Sequence, residues 1–199
     1  MLNVYLLRHG ETQYNADGNR YCGRTDIELT AKGIQQAELV AGQLADIPFD
    51  GIYSSPLIRA YETARIASGN QPVKKEDRLI EVDFGEWEGK TKEVFIAENE
   101  ALWTAWRENP RMTRAGGTGE TAGEVISRVD AFFTEVRQKH PSGNILVVAH
   151  NGINRFFLAH QLGMDLKNYR RIVQENSSLT LVSFEKQEGF FLKKLNSKG

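Results

Sequence analysis

Residues 145–149, ILVVA, constrain this chain more than any other stretch. Five consecutive apolar side chains with no polar interruption are the pattern of a strand buried on both faces of a mostly parallel sheet. Residues 4–7, VYLL, have the same character, and 51–53 and 72–75 read as shorter strands. Parallel strands need crossover helices. The chain provides them: Ile34, Ala37, Ala41 and Leu44 recur at helical spacing behind Thr30 as N-cap, ending near Asp46 before Pro48. Val125, Val129, Phe132 and Val136 do the same behind the capping-box pair Thr121 and Glu124, ending near His140 and Pro141. Ser55 and Pro56 read as N-cap and first position of a further helix, and residues 151–162 as another. Residues 179–184 and 190–195 flank Gly189 and read as an antiparallel hairpin. The expected fold is therefore α/β, a three-layer α/β/α sandwich whose mostly parallel sheet carries an antiparallel strand near its C-terminal edge, with residues 1–199 as one domain.

Composition narrows the function classes. A chain of 199 residues buries roughly 70% of its unfolded surface without staples. A single cysteine, Cys22, excludes an internal disulfide framework and fits a reducing compartment. Twenty-five basic against twenty-six acidic residues leave a net charge of -1, which gives no overall field for nucleic acid or a membrane surface. No basic n-region, secretory leader or membrane-length apolar run is visible, so a cytoplasmic protein is expected. No EF-hand loop, zinc-type histidine pair or cysteine cluster is present, and no cofactor is expected.

Both long apolar runs end on a histidine. The first delivers Arg8, His9, Gly10 and Glu11, the second His150, Asn151 and Gly152, at the strand ends where open α/β sheets place ligands. Taken singly, such a histidine is most simply a packing residue, and an arbitrary arginine such as Arg59 a surface ion-pair partner. The acidic stretch 77–91 leaves Glu81, Asp83, Glu86 and Glu88 open as acids. Two glycine clusters fall short of nucleotide motifs: Gly85, Gly89, Lys90 and Thr91 lack one residue of a phosphate loop, and Gly117, Gly119 and Gly123 miss the dinucleotide spacing.

The strings LLRHGETQYN, SSPLIRAYETA, DRLIEVDFGEWEGKT and ILVVAHNGINR together resemble the four blocks of the histidine phosphatase superfamily, the phosphoglycerate mutase-like proteins. All four fall at or just after predicted strand ends. The resemblance covers nearly the whole chain and implies the same sandwich fold. It implies that His9 is the nucleophile that becomes phosphohistidine, that Glu81 is the general acid and base, and that Arg8, Arg59 and His150 compensate the phosphoryl charge. It further implies substrate contacts from Arg8, Asn15, Cys22, Gly23, Arg59, Glu81 and Asn151, the last standing where a glycine is common. His9 has to attack as a neutral imidazole, its other nitrogen held by a backbone carbonyl, and adjacent arginines disfavour the imidazolium. No metal enters this scheme.

The expected activity is that of a phosphatase acting on a small-molecule phosphomonoester; no oligomeric state is implied. RHGETQYNADG, LTAKGIQQA and FGEWEG are similar to the α-ribazole phosphatase branch. The alternatives are a phosphoglycerate-type mutase, disfavoured by the short span after the Glu81 block, and an inactive module that only binds a phospho-ligand. The resemblance also implies that residues 92–119, with Trp103 and Trp106 on one helical face, cover the site and set specificity. Residues 14–29 read as loop. Arg65, Glu86, Glu88 and the tail of Lys193, Lys194 and Lys198 read as solvated, Phe84 and Trp87 as packing residues with a pocket mouth as the alternative place for either, and His140 and His160 as packing or surface residues.

Overall fold

The computed structural model describes residues 1–186 and 189–197. Its elements in chain order are β1 (Leu2–Arg8), α1 (Gln13–Ala16), α2 (Ala31–Leu44), β2 (Gly51–Ser54), α3 (Ile58–Ala67), β3 (Lys74–Lys75), α4 (Lys92–Glu98), α5 (Glu100–Glu108), α6 (Ala122–Lys139), β4 (Gly143–Ala149), α7 (Asn151–Gln161), β5 (Leu179–Glu185) and β6 (Gly189–Ser197). They form a six-stranded sheet in the order β3-β2-β4-β1-β5-β6. The first four strands in that order run parallel, while β5 is antiparallel to β1 and β6 to β5. The sandwich is as expected, with two antiparallel strands at the C-terminal edge.

The apolar run that dominates the sequence becomes β4, in the middle of the sheet, with Ile145 to Ala149 all fully buried. Period-two alternation divides that strand between two cores. Ile145, Val147 and Ala149 join Leu2, Val4 and Leu6 against α6 and α7, whereas Leu146, Val148 and Leu7 pack against α2 and α3. The helices therefore lie on both faces, and every parallel strand end opens at one rim.

Several local expectations hold. Thr30 accepts from the Gly33 N–H, and Thr121 with Glu124 closes a capping box. Trp103 and Trp106 are buried together on α5, although Asn99 separates that helix from α4. Phe84 and Trp87 are core residues.

Others are corrected. Ile34 lies 41% exposed, and the buried stripe of α2 is Gly33, Ala37, Val40 and Leu44, because the short loop after β1 presses on Gly33 and turns the helix one position. Helix α3 begins at Ile58 behind Leu57 rather than at Ser55 and Pro56. There the Ser55 hydroxyl accepts from the Leu57 N–H, forming a turn that spends the cap before the helix starts. Residues 14–29 contain the helical turn α1. Lys193 and Lys194 belong to β6, where edge lysines guard against strand addition, and Lys193 pairs with Glu185. Lys198 lies outside the described residues. No helix among the described residues is long and apolar enough to cross a membrane.

Candidate active site

The two histidine blocks are neighbours because their strands are. β1 and β4 pair in register with Arg8 opposite Ala149, so the next residue on each strand is a histidine, and the His9 N–H donates to the Ala149 carbonyl at 3.0 Å. The imidazole centroids are 5.1 Å apart. His9 is 4% exposed and His150 fully buried. His9 Nδ1 lies 2.7 Å from the Gly10 carbonyl. A carbonyl only accepts, so Nδ1 carries the proton and Nε2 is left with the lone pair. Asn176 steadies this loop, donating its amide to the His9 carbonyl and to Asn15 Oδ1, both at 3.1 Å.

Arg59, in the first turn of α3, is fully buried without a carboxylate partner among the described residues. Its Nη1 donates to the Thr25 carbonyl at 2.8 Å and its Nη2 to the Gly23 carbonyl at 2.7 Å, while Nε is buried with no acceptor. Gly23 thus acts through its carbonyl and is not among the residues lining the cavity; the expected direct contact is corrected to one that fixes Arg59. Glu88 is also not a solvated acid. It accepts from the N–H groups of Arg24 and Thr25 and from the Thr25 hydroxyl, and so clamps the loop that holds Arg59. A Cβ on Gly23 would fall 1.9 Å from Glu88 Oε1, which ties glycine to that position. Glu86 is exposed, as expected.

Glu81 is seated on the amino terminus of α7. Its Oε1 accepts from Val82 and Ile153, and its Oε2 from Gly152, all through backbone N–H groups at 2.9, 3.1 and 3.0 Å. The three backbone donors fix the orientation of this carboxyl group. The seat requires a bare backbone, since a Cβ on Gly152 would lie 2.7 Å from Glu81 Oε1.

These groups open onto one cavity of about 130 Å³ lined by Arg8, His9, Asn15, Asn19, Arg20, Tyr21, Cys22, Arg59, Glu81, Phe84, Asn151, Gly152, Arg155, Tyr169 and Arg170. His150 stands behind this wall, against His9, with both ring nitrogens buried and lacking a partner among the described residues. A larger groove of about 640 Å³ lies between α2 and α3, lined by Ile34, Glu62 and Arg65 among others, and holds no histidine. Among the described residues no cluster of three His, Cys, Asp or Glu is placed to hold a metal ion.

Asn19, Arg20, Tyr21, Arg155, Tyr169 and Arg170 were not singled out by sequence. Arg155 alone carried a signal: it follows Asn151 by one helical turn and therefore shares its face. Residues 92–119 contribute no lining side chain, contrary to the expected cover. They back the wall instead. Phe95 meets Tyr21 edge-on at 4.9 Å, Trp103 lies 4.5 Å beneath the Arg170 guanidinium, and Trp106 Nε1 donates to the Tyr169 hydroxyl at 3.4 Å. The reason is apolar area: two indoles and a phenyl ring bury themselves in the space behind the wall and form core.

Charge follows burial. Desolvation, then Arg59 and Arg8, hold the His9 pKa well below the usual imidazole range, and desolvation with Arg59 does the same for His150. Burial, with Arg155 nearby, brings Arg8 down to about 10. Burial pushes the Cys22 thiol up to about 11, so it lines the cavity as a neutral group.

A family scan matches residues 4–198 to the histidine phosphatase superfamily (branch 1). The chain belongs to that superfamily. Its relatives include phosphoserine phosphatase 1 of Hydrogenobacter thermophilus, 36% identical over 97% of this chain and 92% of the relative. Another is the adenosylcobalamin/alpha-ribazole phosphatase of Escherichia coli, 34% identical over 82% of this chain and 80% of the relative. Among solved structures, a mutant phosphoserine phosphatase of Entamoeba histolytica in complex with phosphoserine superposes with a TM-score of 0.90 at 30% identity, covering 99% and 98% of the two chains. The sheet that brings His9 and His150 together is thus a histidine phosphatase sheet.

Burying two neutral histidines couples this site to stability. Below pH 6.5 the unfolded chain takes up protons that the native state refuses, so stability falls with pH, and the loss continues down to the depressed native pKa values. Each histidine contributes up to about 1.4 kcal/mol per pH unit in that window. Urea unfolding between pH 7 and pH 5 should show this decline, and His9→Ala should flatten it by roughly half the histidine share; an equally steep profile in the variant would assign the loss elsewhere.

Proposed function

We propose that this histidine phosphatase hydrolyses a small phosphomonoester through a phosphohistidine on His9. The observation that carries the reading is the neutral, tautomer-fixed imidazole of His9 opening onto the same cavity as Arg8, Arg59 and Glu81. In the first step His9 Nε2 gives its lone pair to phosphorus, the ester P–O bond breaks, and the leaving oxygen takes a proton from the Glu81 carboxyl. In the second, the Glu81 carboxylate takes a proton from water as the water oxygen attacks phosphorus; the P–N bond breaks, releasing phosphate and restoring both groups.

Phosphoryl transfer places charge on three equatorial oxygens, and rigid donors aimed there lower the barrier. Arg8 donates to the Gln174 carbonyl at 2.8 Å and keeps a buried, unpartnered Nε; Arg59 is held likewise, and His150, packed behind His9 as a neutral imidazole, has one N–H to give. Asn15 and Asn151 complete the polar wall. The named relatives are phosphatases of phosphoserine and of alpha-ribazole, which supports hydrolysis and a small substrate. The cavity, below the roughly 300–1,000 Å³ of sites for larger ligands, supports the smaller end.

The deciding assay incubates the protein with 3-phosphoglycerate and a trace of 2,3-bisphosphoglycerate. Phosphate release is expected. Rapid isomer exchange without release would make the chain a mutase. Binding without either reaction, across a broad panel of phosphomonoesters, would make it a binding module.

A further inference from the structure

Resting on the phosphatase reading, we propose that Arg155 and Arg170 form a second anion subsite beside the phosphoryl pocket and select small phosphomonoesters that carry a carboxylate. The starting point is an excess of positive charge. Five guanidiniums line the cavity, with Glu81 as its one acidic residue, and both oxygens of that carboxylate already accept from backbone N–H groups. Arg20 is compensated by Asp17 at 2.6 Å. Arg8 and Arg59 flank His9 and meet the phosphoryl group. Arg155 and Arg170 remain, neither with a carboxylate partner among the described residues.

Both are built into place rather than loose on the surface. Arg170 donates Nη1 to the Tyr21 hydroxyl at 3.0 Å and lies between rings, 4.5 Å from Trp103 and 5.0 Å from Tyr169, while its Nε and Nη2 are buried without a partner among the described residues. Arg155 rises from α7 one turn beyond Asn151, and its Nε is buried and unpartnered in the same sense. Buried donors of this kind are costly unless an acceptor meets them. Burial, with Arg170 beside it, also draws Arg155 below the usual guanidinium range, a stress that an anion would relieve.

The shared cavity and the guanidinium fork point to the anion. Arg155 and Arg170 line the same cavity as His9, Arg8 and Arg59, so a second charge placed to meet them sits on the same molecule as the phosphate. A planar carboxylate matches the guanidinium fork in that space.

The test compares 3-phosphoglycerate with glycerol 3-phosphate, which differ only in carboxylate against hydroxymethyl. The expected kcat/KM ratio favours the acid by about 10- to 100-fold, the range for a hydrogen bond to a charged group. Arg155→Gln and Arg170→Gln should each bring the ratio toward one, chiefly by raising KM for the acid. Tyr21→Phe, which keeps the ring but removes the hydroxyl that aims Arg170, should lower it to an intermediate value. Calorimetric binding of both compounds to the His9→Ala protein reads the same discrimination without turnover. A wild-type ratio near one, or a ratio unmoved by all three substitutions, overturns the subsite and leaves the phosphatase reading standing. Hydrolysis of neither compound counts against the phosphatase reading, and the calorimetric ratio then decides the subsite alone.

Discussion

Replacing His9 with alanine should abolish turnover and, with it, the acid-labile phosphate that the wild-type protein carries during reaction. The loss should be on the order of 10⁴-fold or more, the scale seen when a covalent nucleophile is removed while the rest of a site survives. The structure offers no substitute: His150 is fully buried behind the wall, and the Cys22 thiol is held protonated. The variant should fold, since it deletes a desolvated imidazole with one side-chain hydrogen bond, to the Gly10 carbonyl, while the backbone bonds to Ala149, Asn176 and Ser177 stay. Rapid-quench labelling with a phosphomonoester carrying radioactive phosphate is the measurement. Normal labelling of His9→Ala would move the nucleophile elsewhere and end the scheme proposed above.

Arg59→Ala should cost about 100-fold or more in kcat/KM, by analogy with the removal of one rigid donor to a developing charge. Lysine at this position should not restore it, because two carbonyls, of Gly23 and Thr25, hold a flat fork and an ammonium cannot span both while facing the cavity. A fully buried guanidinium balanced by carbonyls rather than carboxylates is already far from a surface ion pair. A loss under threefold would mean that the phosphoryl charge is borne by Arg8 and the remaining donors of the cavity without it. Chemical unfolding of both variants separates this effect from damage to the loop that Glu88 clamps.

What could be read from the sequence followed from periodicity and strand ends. The apolar runs located β1 and β4, the register of a parallel pair did the rest, and His9, Arg59, Glu81 and His150 came together because their blocks all follow strands on one rim. The errors share a different cause. Local pattern misplaces Ile34, Ser55 and Glu88, because each is fixed by a segment distant in sequence or by a turn: the loop after β1, the turn before α3, and the loop at Arg24 and Thr25. Tyr169 and Arg170 lie on a short 3-10 helix, Leu166–Arg171, with no periodic signature, so nothing in their spacing pointed to the cavity. The segment 92–119 shows the limit most clearly. Its tryptophans are core for a wall, and only the fold reveals that the wall itself is made of Tyr21, Tyr169 and Arg170.

The separation of the two imidazoles is close to the 4.7–4.9 Å that divides neighbouring strands. It is therefore a dimension of the backbone lattice more than an achievement of side-chain packing. Substrate preference can drift through Arg155, Arg170 and the aromatic residues around them without disturbing that spacing, whereas a slip of one residue between β1 and β4 would dismantle the chemistry for every substrate at once.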